Sequence, residues 1–249
     1  MNRSFTRFAA GIAALAGLFV AAPASAESRT MCGYDPAGKS GEFFRLLNDY
    51  ALKAGEWGVN IELKAYTDEE TAAKDYEAGQ CDAVVATGVR LQRFNNYPST
   101  LEAIGALPTY ASIQSMAKSL AKYEGMAKPL AKGGHETVGI IPAGAVYLFV
   151  RDRSIDTVGE LAGKKFAAMD FDKAQAIMIE SVGASPVSVS LTNFGSMFNN
   201  GSVDIIGAPA VAYDALELYK GLGDDGAIVN FSIIQLTAQI VARHDRFPE

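Results

Sequence analysis

The chain has 249 residues, of which 49% are hydrophobic and 20% are charged, and its formal net charge at neutral pH is -6. This length allows one large domain or two small ones, and the composition is that of a globular protein. The acidic balance argues against nucleic acid and against an anionic membrane surface as partners.

The N-terminal segment has the three parts of a secretory signal peptide. Arg3 and Arg7 precede an uncharged stretch over residues 8–22, and Ala24-Ser25-Ala26 follows it. The stretch is short and glycine-rich for a membrane span, which needs about 20 apolar residues. We predict that residues 1–26 are a signal peptide cleaved after Ala26, and that the mature chain is periplasmic and is not inserted in the membrane. An uncleaved N-terminal anchor is the alternative.

Residues 33–40 read G-Y-D-P-A-G-K-S and match the phosphate-binding pattern G-x-x-x-x-G-K-[ST] at every fixed position. The match lies between a predicted strand at 29–34 and a predicted helix at 42–54, which is the context that such a loop needs. Alone it would indicate an ATP- or GTP-binding enzyme, but an exported chain meets no ATP. We interpret the segment as a strand, a glycine turn and a helix start that form one wall of a ligand site.

The next elements continue an alternation of strands and helices. Residues 59–66 alternate apolar and polar side chains, as a half-buried strand does. The sequence T-D-E-E at 67–70 resembles a capping box that opens a helix to Ala78, and Gly79 ends that helix. Residues 82–87 form a short strand with an apolar middle, which is typical of a parallel sheet. The first half therefore predicts β-α-β-α-β, the start of an open α/β domain.

The second half repeats this alternation after a mostly helical segment at 101–134. The predicted strands lie at 137–141, 145–151, 161–170, 187–191 and 203–208. The predicted helices lie at 173–182, 193–200 and 210–220, and a long β-rich run covers 228–243. The last residues, 247–249, look like the entrance of a helix, and we expect further helices beyond them.

Two stretches share one pattern, Y-E-A-G-Q-C-D at 76–82 and F-N-N-G-S-V-D at 198–204. In both, an aromatic residue lies near the end of a predicted helix, the glycine supplies a left-handed turn, and the aspartate precedes a short apolar strand. Any α/β protein can contain one such corner. Two corners with the same spacing, one in each half, predict two similar lobes.

Ligands bind at the carboxyl ends of the strands in open α/β sheets, and two facing lobes make a cleft that a hinge can close. The candidate ligand contacts in the first lobe are Asp35, Lys39, Ser40, Thr87 and Arg90. Those in the second lobe and the crossovers are Tyr147, Asp170, Asp172, Lys173, Asn193, Pro209, Tyr213 and Gln235. Arg90 is the best candidate for an anionic group, because it directly follows a predicted strand end.

The chain has two cysteines, Cys32 and Cys81. A pair in an exported protein favours a disulfide, which we predict here. The alternative is two small buried residues on neighbouring strands. A structural metal site needs more ligands than these cysteines and the distant His135 and His244 provide, so neither a metal nor a cofactor is expected.

Three segments of the second half resemble the periplasmic solute-binding proteins of the TRAP type. The sequence D-T-V-G-E-L-A-G-K-K at 156–165 is similar to their D-L-x-G-K-K turn before a strand. The sequences at 183–187 and 200–209, G-A-S-P-V and N-G-S-V-D-I-I-G-A-P, are similar to their G-A-x-P-V and G-x-V-D segments. The resemblance implies a type II two-lobe α/β fold, in which each lobe is an open, mostly parallel sheet flanked by helices, with hinge strands between. We predict residues 27–144 and 236–249 as lobe 1 and residues 145–235 as lobe 2.

One position departs from that resemblance. TRAP-type receptors usually carry an arginine two residues after the lysine, in G-x-K-x-R, where it grips the ligand carboxylate. Here the sequence G-K-K-F-A at 163–167 places Ala167 there. Either Arg90 or Lys173 substitutes, or the ligand is not a simple carboxylate, and an apolar or lipid-like ligand becomes an option.

The resemblance implies a receptor that captures a small organic solute and passes it to the subunits of a membrane transporter. A carrier or sensor subunit for a lipid or another apolar ligand is the alternative. An enzyme is less supported. The sequence F-A-A-M-D at 166–170 mimics the second metal-binding element of P-loop enzymes, but the chain contains no G-x-S-x-G and no H-E-x-x-H motif.

Overall fold

The computed structural model describes residues 27–247. The predicted signal peptide at 1–26 and the last two residues of the chain lie outside the described residues. Within the described part, no helix is both long and apolar enough to cross a membrane.

The first part of the structure is a parallel three-stranded arrangement with two helices. The bounds are β1 Glu27–Tyr34, α1 Glu42–Gly55, β2 Val59–Tyr66, α2 Glu69–Glu77 and β3 Ala83–Thr87. Strand β1 lies between β2 and β3 and is parallel to both. The predicted β-α-β-α-β start is confirmed.

Short helices follow β3. They are α3 Gly88–Leu91, α4 Asn96–Ser99, α5 Tyr110–Lys122 and α6 Glu124–Ala127, with 3-10 turns at Thr100–Glu102 and Lys128–Leu130. The predicted helical segment at 101–134 is therefore divided, and its end forms a short strand, β4 Ala131–Lys132. Helix α5 packs its buried Ile113 and Leu120 with Leu101 and Leu130 in one apolar cluster.

The second half contains the remaining elements. They are β5 His135–Val150, β6 Lys165–Met169, α7 Lys173–Ser181, β7 Ser185–Val189, α8 Phe194–Asn199, β8 Ile205–Pro209, α9 Ala212–Ala215, α10 Tyr219–Leu222, β9 Ala227–Ile228 and β10 Ile234–Arg243. Strand β6 pairs in parallel with β7 and with β8. A 3-10 turn at Val158–Leu161 leads into β6, as expected for the segment before that strand.

Three predicted bounds in this half are wrong. The strands expected at 137–141 and 145–151 are one strand of 16 residues, β5, which stays paired with β10 across Pro142 and Gly144. The helix expected at 210–220 is two short helices, because Glu217 between them has a φ of 51°, which does not continue a helix. The β-rich run at 228–243 is interrupted between β9 and β10.

The strands form one mixed sheet in the order β2-β1-β3-β10-β5-β8-β6-β7. Strand β10 is antiparallel to both β3 and β5, and β5 is antiparallel to β8. The two long strands β5 and β10 therefore join the two parallel groups. A register shift lies between Leu236 and Thr237, opposite the Pro142–Gly144 segment of β5. The predicted lobe boundaries at 144/145 and 235/236 fall beside this shift and remain a prediction.

The two corners are built alike. Gly79 and Gly201 have φ angles of 79° and 78°, so both use the left-handed region that glycine tolerates. The aromatic residues before them, Tyr76 and Phe198, are fully buried.

The aspartates of the two corners make the same pair of bonds. The backbone N of Asp82 donates to the Thr30 carbonyl at 2.8 Å, and the Thr30 amide donates to Asp82 Oδ2 at 2.9 Å. Asp204 exchanges the equivalent bonds with Lys165, both at 2.8 Å. Each corner thus ties a helix end to the start of the neighbouring parallel strand.

An arginine completes each corner, which the sequence pattern did not reveal. Arg243 donates from Nη2 to the Tyr76 carbonyl at 2.6 Å, and Arg151 donates from Nη1 to the Phe198 carbonyl at 2.7 Å. Their backbone N–H groups donate to the carbonyls of Asp82 and Asp204 at 2.9 and 3.0 Å. The shared bonds show that the two halves are related structures.

Each half has apolar packing on both faces of its strands. On β3, Val84 and Ala86 pack on one face and Ala83 and Val85 on the other. The predicted disulfide between Cys32 and Cys81 is present, with Cα atoms 5.8 Å apart, and it lies in the buried cluster of the first half.

Candidate functional site

The carboxyl ends of β1 and β3 in the first half face those of β6 and β8 in the second half. A side-chain contact joins them: the guanidinium carbon of Arg90 lies 3.5 Å from the ring centroid of Phe171. Arg90 belongs to α3, directly after β3, and Phe171 lies between β6 and α7. This contact brings the two halves together where the sequence predicted a ligand site.

The loop that matches the phosphate pattern contains an anion of its own. The carboxylate of Asp35, 4% exposed, accepts from the backbone amides of Ala37 at 2.8 Å and Phe44 at 3.0 Å. A side chain at Gly41 would place its Cβ 1.9 Å from the Asp35 oxygens. Two amides at this loop and helix start are therefore occupied by Asp35 and are not open to a bound phosphate.

Lys39 and Ser40 lie on the outside of this loop and are exposed. The Ser40 hydroxyl donates to the Ala37 carbonyl at 2.8 Å. Lys39 borders a groove between α1 and the edge strand β2, together with Leu52 and Asn60.

Arg90 is buried, 8% exposed, and is held by two carboxylates. Its Nε donates to Glu69 Oε1 at 3.1 Å, and its Nη1 donates to Glu70 Oε2. Glu70 also pairs with Lys74 at 3.2 Å, one turn along α2. The charge of Arg90 is thus compensated within the protein.

Thr87 is part of the same network. Its hydroxyl donates to Glu69 Oε2 at 2.8 Å and accepts from the Arg90 amide at 3.3 Å, which caps the short helix α3. Burial raises the pKa of Glu69, which is 1% exposed, while the bonds from Thr87 and Arg90 act in the opposite direction. The two oxygens of Glu69 are both used inside this network.

Tyr34, at the end of β1, is a half-buried residue that the sequence pattern did not single out. Burial raises the pKa of its hydroxyl well above the usual range, and the nearby carboxylates of Glu69, Asp35 and Asp68 add to that rise. The hydroxyl therefore stays protonated at any physiological pH and can serve as a hydrogen-bond donor.

In the second half, Asp170 and Lys173 are exposed, and Asp172 lies between them in sequence. Asp172 is the N-cap of α7, and its Oδ1 accepts from the amides of Ala174 at 3.1 Å and Gln175 at 3.2 Å. Asn193 accepts from the Ser190 amide at 2.8 Å and so closes the turn before α8. Asp172 and Asn193 therefore shape their own loops.

Two tyrosines of the second half pack beside Phe149. Tyr147 and Tyr213 are half-buried against the cluster that contains Phe149, and the Tyr213 ring stacks 6.4 Å from that of Phe149. Pro209 ends β8 opposite Val146 of β5. Ala167, at the position of the expected arginine, is 4% exposed and belongs to the same cluster.

Gln235 lies in the hinge strand β10 and is buried. Its Nε2 donates to Ser232 Oγ at 3.1 Å and to the Pro108 carbonyl at 3.5 Å. Its neighbour Thr237 donates from its amide, at 2.6 Å, and from its hydroxyl, at 2.5 Å, to Oε1 of Glu102. Burial raises the pKa of Glu102 to about 7, although the bonds from Thr237 lower it.

The structure thus brings Thr87 and Arg90 together, and it packs Tyr147 and Tyr213 against one apolar cluster, while Pro209 lies on the other face of β8. Lys39 lines the groove between α1 and β2, and Ser40 bonds within its own loop. Glu69, Glu70 and Phe171 were missed by sequence reasoning. Two acidic residues in a first helical turn are ordinary partners of the helix dipole, so the sequence alone did not single them out.

Comparison with known proteins identifies the family to which the sequence is similar. Residues 53–249 match the family described as Solute-binding protein AdeT 1/2. The chain is 45% identical over 215 residues to the probable solute-binding protein AdeT1 of Acinetobacter baumannii, covering 86% of this chain and 70% of that protein. It is 27% identical over 145 residues to the probable solute-binding protein AdeT2 of the same organism, covering 58% and 60%.

Solved structures of TRAP periplasmic solute-binding proteins have the same fold. The protein from Ralstonia eutropha H16 with bound (S)-2-acetolactate has a TM-score of 0.69 at 16% identity, covering 88% of this chain and 70% of that one. The protein from Escherichia fergusonii has a TM-score of 0.68 at 20% identity, covering 89% and 74%. The protein from Pseudomonas aeruginosa PAO1 with bound L-malate has a TM-score of 0.68 at 10% identity, covering 88% and 76%.

These likenesses confirm the predicted two-lobe type II α/β fold and the resemblance to TRAP-type receptors. The sequence match over residues 53–249 is more specific than the fold. The chain belongs to the solute-binding protein AdeT 1/2 family.

Proposed function

We propose that this chain is a periplasmic receptor, and not an enzyme, which captures a small organic solute and delivers it to the subunits of a membrane transporter. Lobe 1 comprises residues 27–144 and 236–249, lobe 2 comprises residues 145–235, and the solute binds between them. The family description and the TRAP receptors with bound acetolactate and L-malate support this role. Cleavage after Ala26 releases the mature chain into the periplasm.

The contact between Arg90 and Phe171 is the observation that carries the proposal. It joins residues that follow parallel strands in different halves of the sheet, and β5 and β10 are the strands that connect those halves among residues 27–247. Ligands of open α/β sheets bind at this edge. Hinge motion at β5 and β10 would open and close the contact around a solute.

The predicted site residues divide by what they contact. We assign direct solute contacts to the residues at the facing surfaces, namely Thr87, Arg90, Tyr147, Asp170, Lys173, Pro209 and Tyr213. Asp35, Asp172 and Asn193 shape the loops, because their side chains already accept bonds from nearby amides. Lys39 and Ser40 lie at the outer wall, and Gln235 lies at the hinge.

The proposal is tested on protein purified from the periplasm. Native mass spectrometry of the released small molecules, followed by thermal shift with each one, should identify a solute that raises the melting temperature. A solute at a hundredfold its Kd stabilises the folded state by about 2.7 kcal/mol. Arg90→Met should abolish the shift, and Arg45→Met, an exposed change on α1, should retain it.

Two results would contradict the receptor role. One is the absence of any bound or binding small molecule across organic acids, amides, amino acids, sugars and lipids. The other is micromolar affinity for Mg-ATP, which the carboxylate of Asp35 in the loop at 33–40 opposes.

A further inference from the structure

The backbone amides at the helix starts beside the cleft already bind carboxylates of the protein itself. Helices α1, α2 and α7 each have nine residues or more and follow a strand of the sheet. Their first amides bind Asp35, Asp68 and Asp172, and the Asp68 bond from the Thr71 amide is 2.8 Å long. A helix start that is filled in this way offers no site to a solute anion.

The buried cation at the cleft is neutralised as well. Arg90 directs Nε and Nη1 toward Glu69 and Glu70, so two of its donor groups are used. The face of its guanidinium is covered by Phe171. A bidentate grip on a solute carboxylate requires two free donors on one edge, and the Nε edge of Arg90 is committed to Glu69.

The charges that remain in the second half do not favour an anion. Lys173 is exposed at the start of α7, but it directly follows Asp172 and lies three residues from Asp170 in sequence. The position where TRAP-type receptors place an arginine is Ala167, which packs among apolar residues. The other surfaces at this edge are the half-buried rings of Tyr34, Tyr147 and Tyr213.

We infer that the solute carries no carboxylate: it is an uncharged molecule with a ring or another apolar surface, held by aromatic rings and by neutral hydrogen bonds. This inference rests on the proposed receptor function and specifies its solute class. Stacking on Phe171 and the tyrosine rings supplies the apolar contact. The hydroxyl group of Tyr34 supplies a polar contact of neutral type.

The test is a thermal-shift and calorimetric screen in which every carboxylic acid is paired with its amide, with benzoate and benzamide or succinate and succinamide as examples. The same probes are applied to the periplasmically purified chain at one pH and salt concentration. The uncharged member of a binding pair should bind at least about tenfold more tightly, since burying an unpaired carboxylate is costly.

A gain-of-function variant sharpens the test. Glu70→Gln removes one carboxylate from Arg90 and leaves the helix position filled by a side chain of equal size. The freed guanidinium donors should raise the affinity for the carboxylate member of a pair by about tenfold, the scale of one charge-assisted hydrogen bond. Glu77→Gln is the matched control, because Glu77 lies on the same helix and approaches Arg93 at 3.9 Å.

The outcomes separate the two claims. Tighter binding of uncharged probes, with a carboxylate gain in Glu70→Gln but not in Glu77→Gln, supports the inference. Tighter binding of a carboxylate by the unaltered chain, lost in Lys173→Ala or Arg90→Met, overturns the inference and leaves the receptor function standing. Failure of both members of every pair, together with the absence of a co-purified solute, overturns the receptor function itself.

Discussion

The carboxylate of Asp35 takes the place of a bound anion at the start of α1. Two backbone amides, those of Ala37 and Phe44, donate to it, and the missing side chain at Gly41 makes room for it. A match to a phosphate-binding pattern can therefore mark a helix start whose amides bind a carboxylate of the same loop. The glycines and the turn are needed in both cases, because an internal carboxylate and a phosphate use the same amides.

This assignment predicts the effect of removing the carboxylate. Asp35→Ala leaves the buried Phe44 amide without its acceptor, and we expect the free energy of unfolding to fall by about 1–3 kcal/mol. Urea unfolding followed by circular dichroism measures the change. Asp49→Ala, an exposed change on the same helix, should stay within about 0.5 kcal/mol of the unaltered chain. Equal stability of the two variants would show that Asp35 is not a structural cap.

At the scale of elements, the repeated corners explain why each half folds as a compact unit. Arg243 and Arg151 bind the carbonyls of equivalent aromatic residues, and each N–H binds the carbonyl of the corner aspartate. Arg243 has an additional contact, since its guanidinium lies 5.1 Å from the centroid of the Tyr76 ring. The two corners are thus equivalent in hydrogen bonding and unequal in aromatic contact.

Replacing each arginine with methionine tests this equivalence. Arg151→Met and Arg243→Met should each lower the free energy of unfolding by about 1.5–3 kcal/mol, the range for hydrogen bonds to charged groups. Arg243→Met should cost more, because it also loses the contact with Tyr76. Calorimetric unfolding of the two variants beside Arg45→Met, the exposed control, gives the comparison. A loss confined to one corner would contradict the structural equivalence of the halves.

At the scale of the whole molecule, the sequence predicts the strand and helix order better than the joins between the halves. Periodicity identified β1 to β3, and the corner pattern predicted two related lobes. The predicted strands at 137–141 and 145–151 leave a gap at residues 142–144, yet β5 continues there. Thr237 lies opposite Pro142, which has no N–H to donate to β10, and the Thr237 amide itself donates to Oε1 of Glu102.

The residues of the candidate site were likewise only partly predictable from the sequence. A position directly after a strand end was enough to select Thr87 and Arg90. Their partners Glu69 and Glu70 lie about 20 residues earlier in the chain, and the contact depends on how α2 packs beside β3. Phe171 comes from the other half. Such pairings are set by tertiary packing, which residue spacing along one strand or helix does not encode.

One buried carboxyl group, that of Glu102, lies against the strand β10 that joins the two halves, and its protonation affects stability. Glu102, 6% exposed, accepts both bonds from Thr237 at the register shift of β10, while its Oε2 has no hydrogen-bond partner among the described residues. Burial raises the pKa of Glu102 to about 7, and the negative charge of Glu69, itself paired with Arg90, adds to the rise. The folded chain therefore retains this proton at pH values where the unfolded chain, with a glutamate pKa of about 4.3, has lost it.

The sign of the pH effect follows from this difference. Between about pH 4.3 and pH 7 the folded state binds more protons than the unfolded state, so the contribution of Glu102 to stability is fully present below that range and is lost as the pH rises through 7.

Glu102→Gln keeps an oxygen that can accept from Thr237 but does not titrate. Urea unfolding at pH 5, 6, 7 and 8 should therefore show that the unaltered chain loses up to about 3 kcal/mol relative to Glu102→Gln across this range. Glu124→Gln, an exposed change on α6, should follow the unaltered chain at every pH. Parallel profiles for the unaltered chain and Glu102→Gln would mean that Glu102 does not titrate between pH 5 and pH 8, and that the hinge is held by a permanently charged carboxylate.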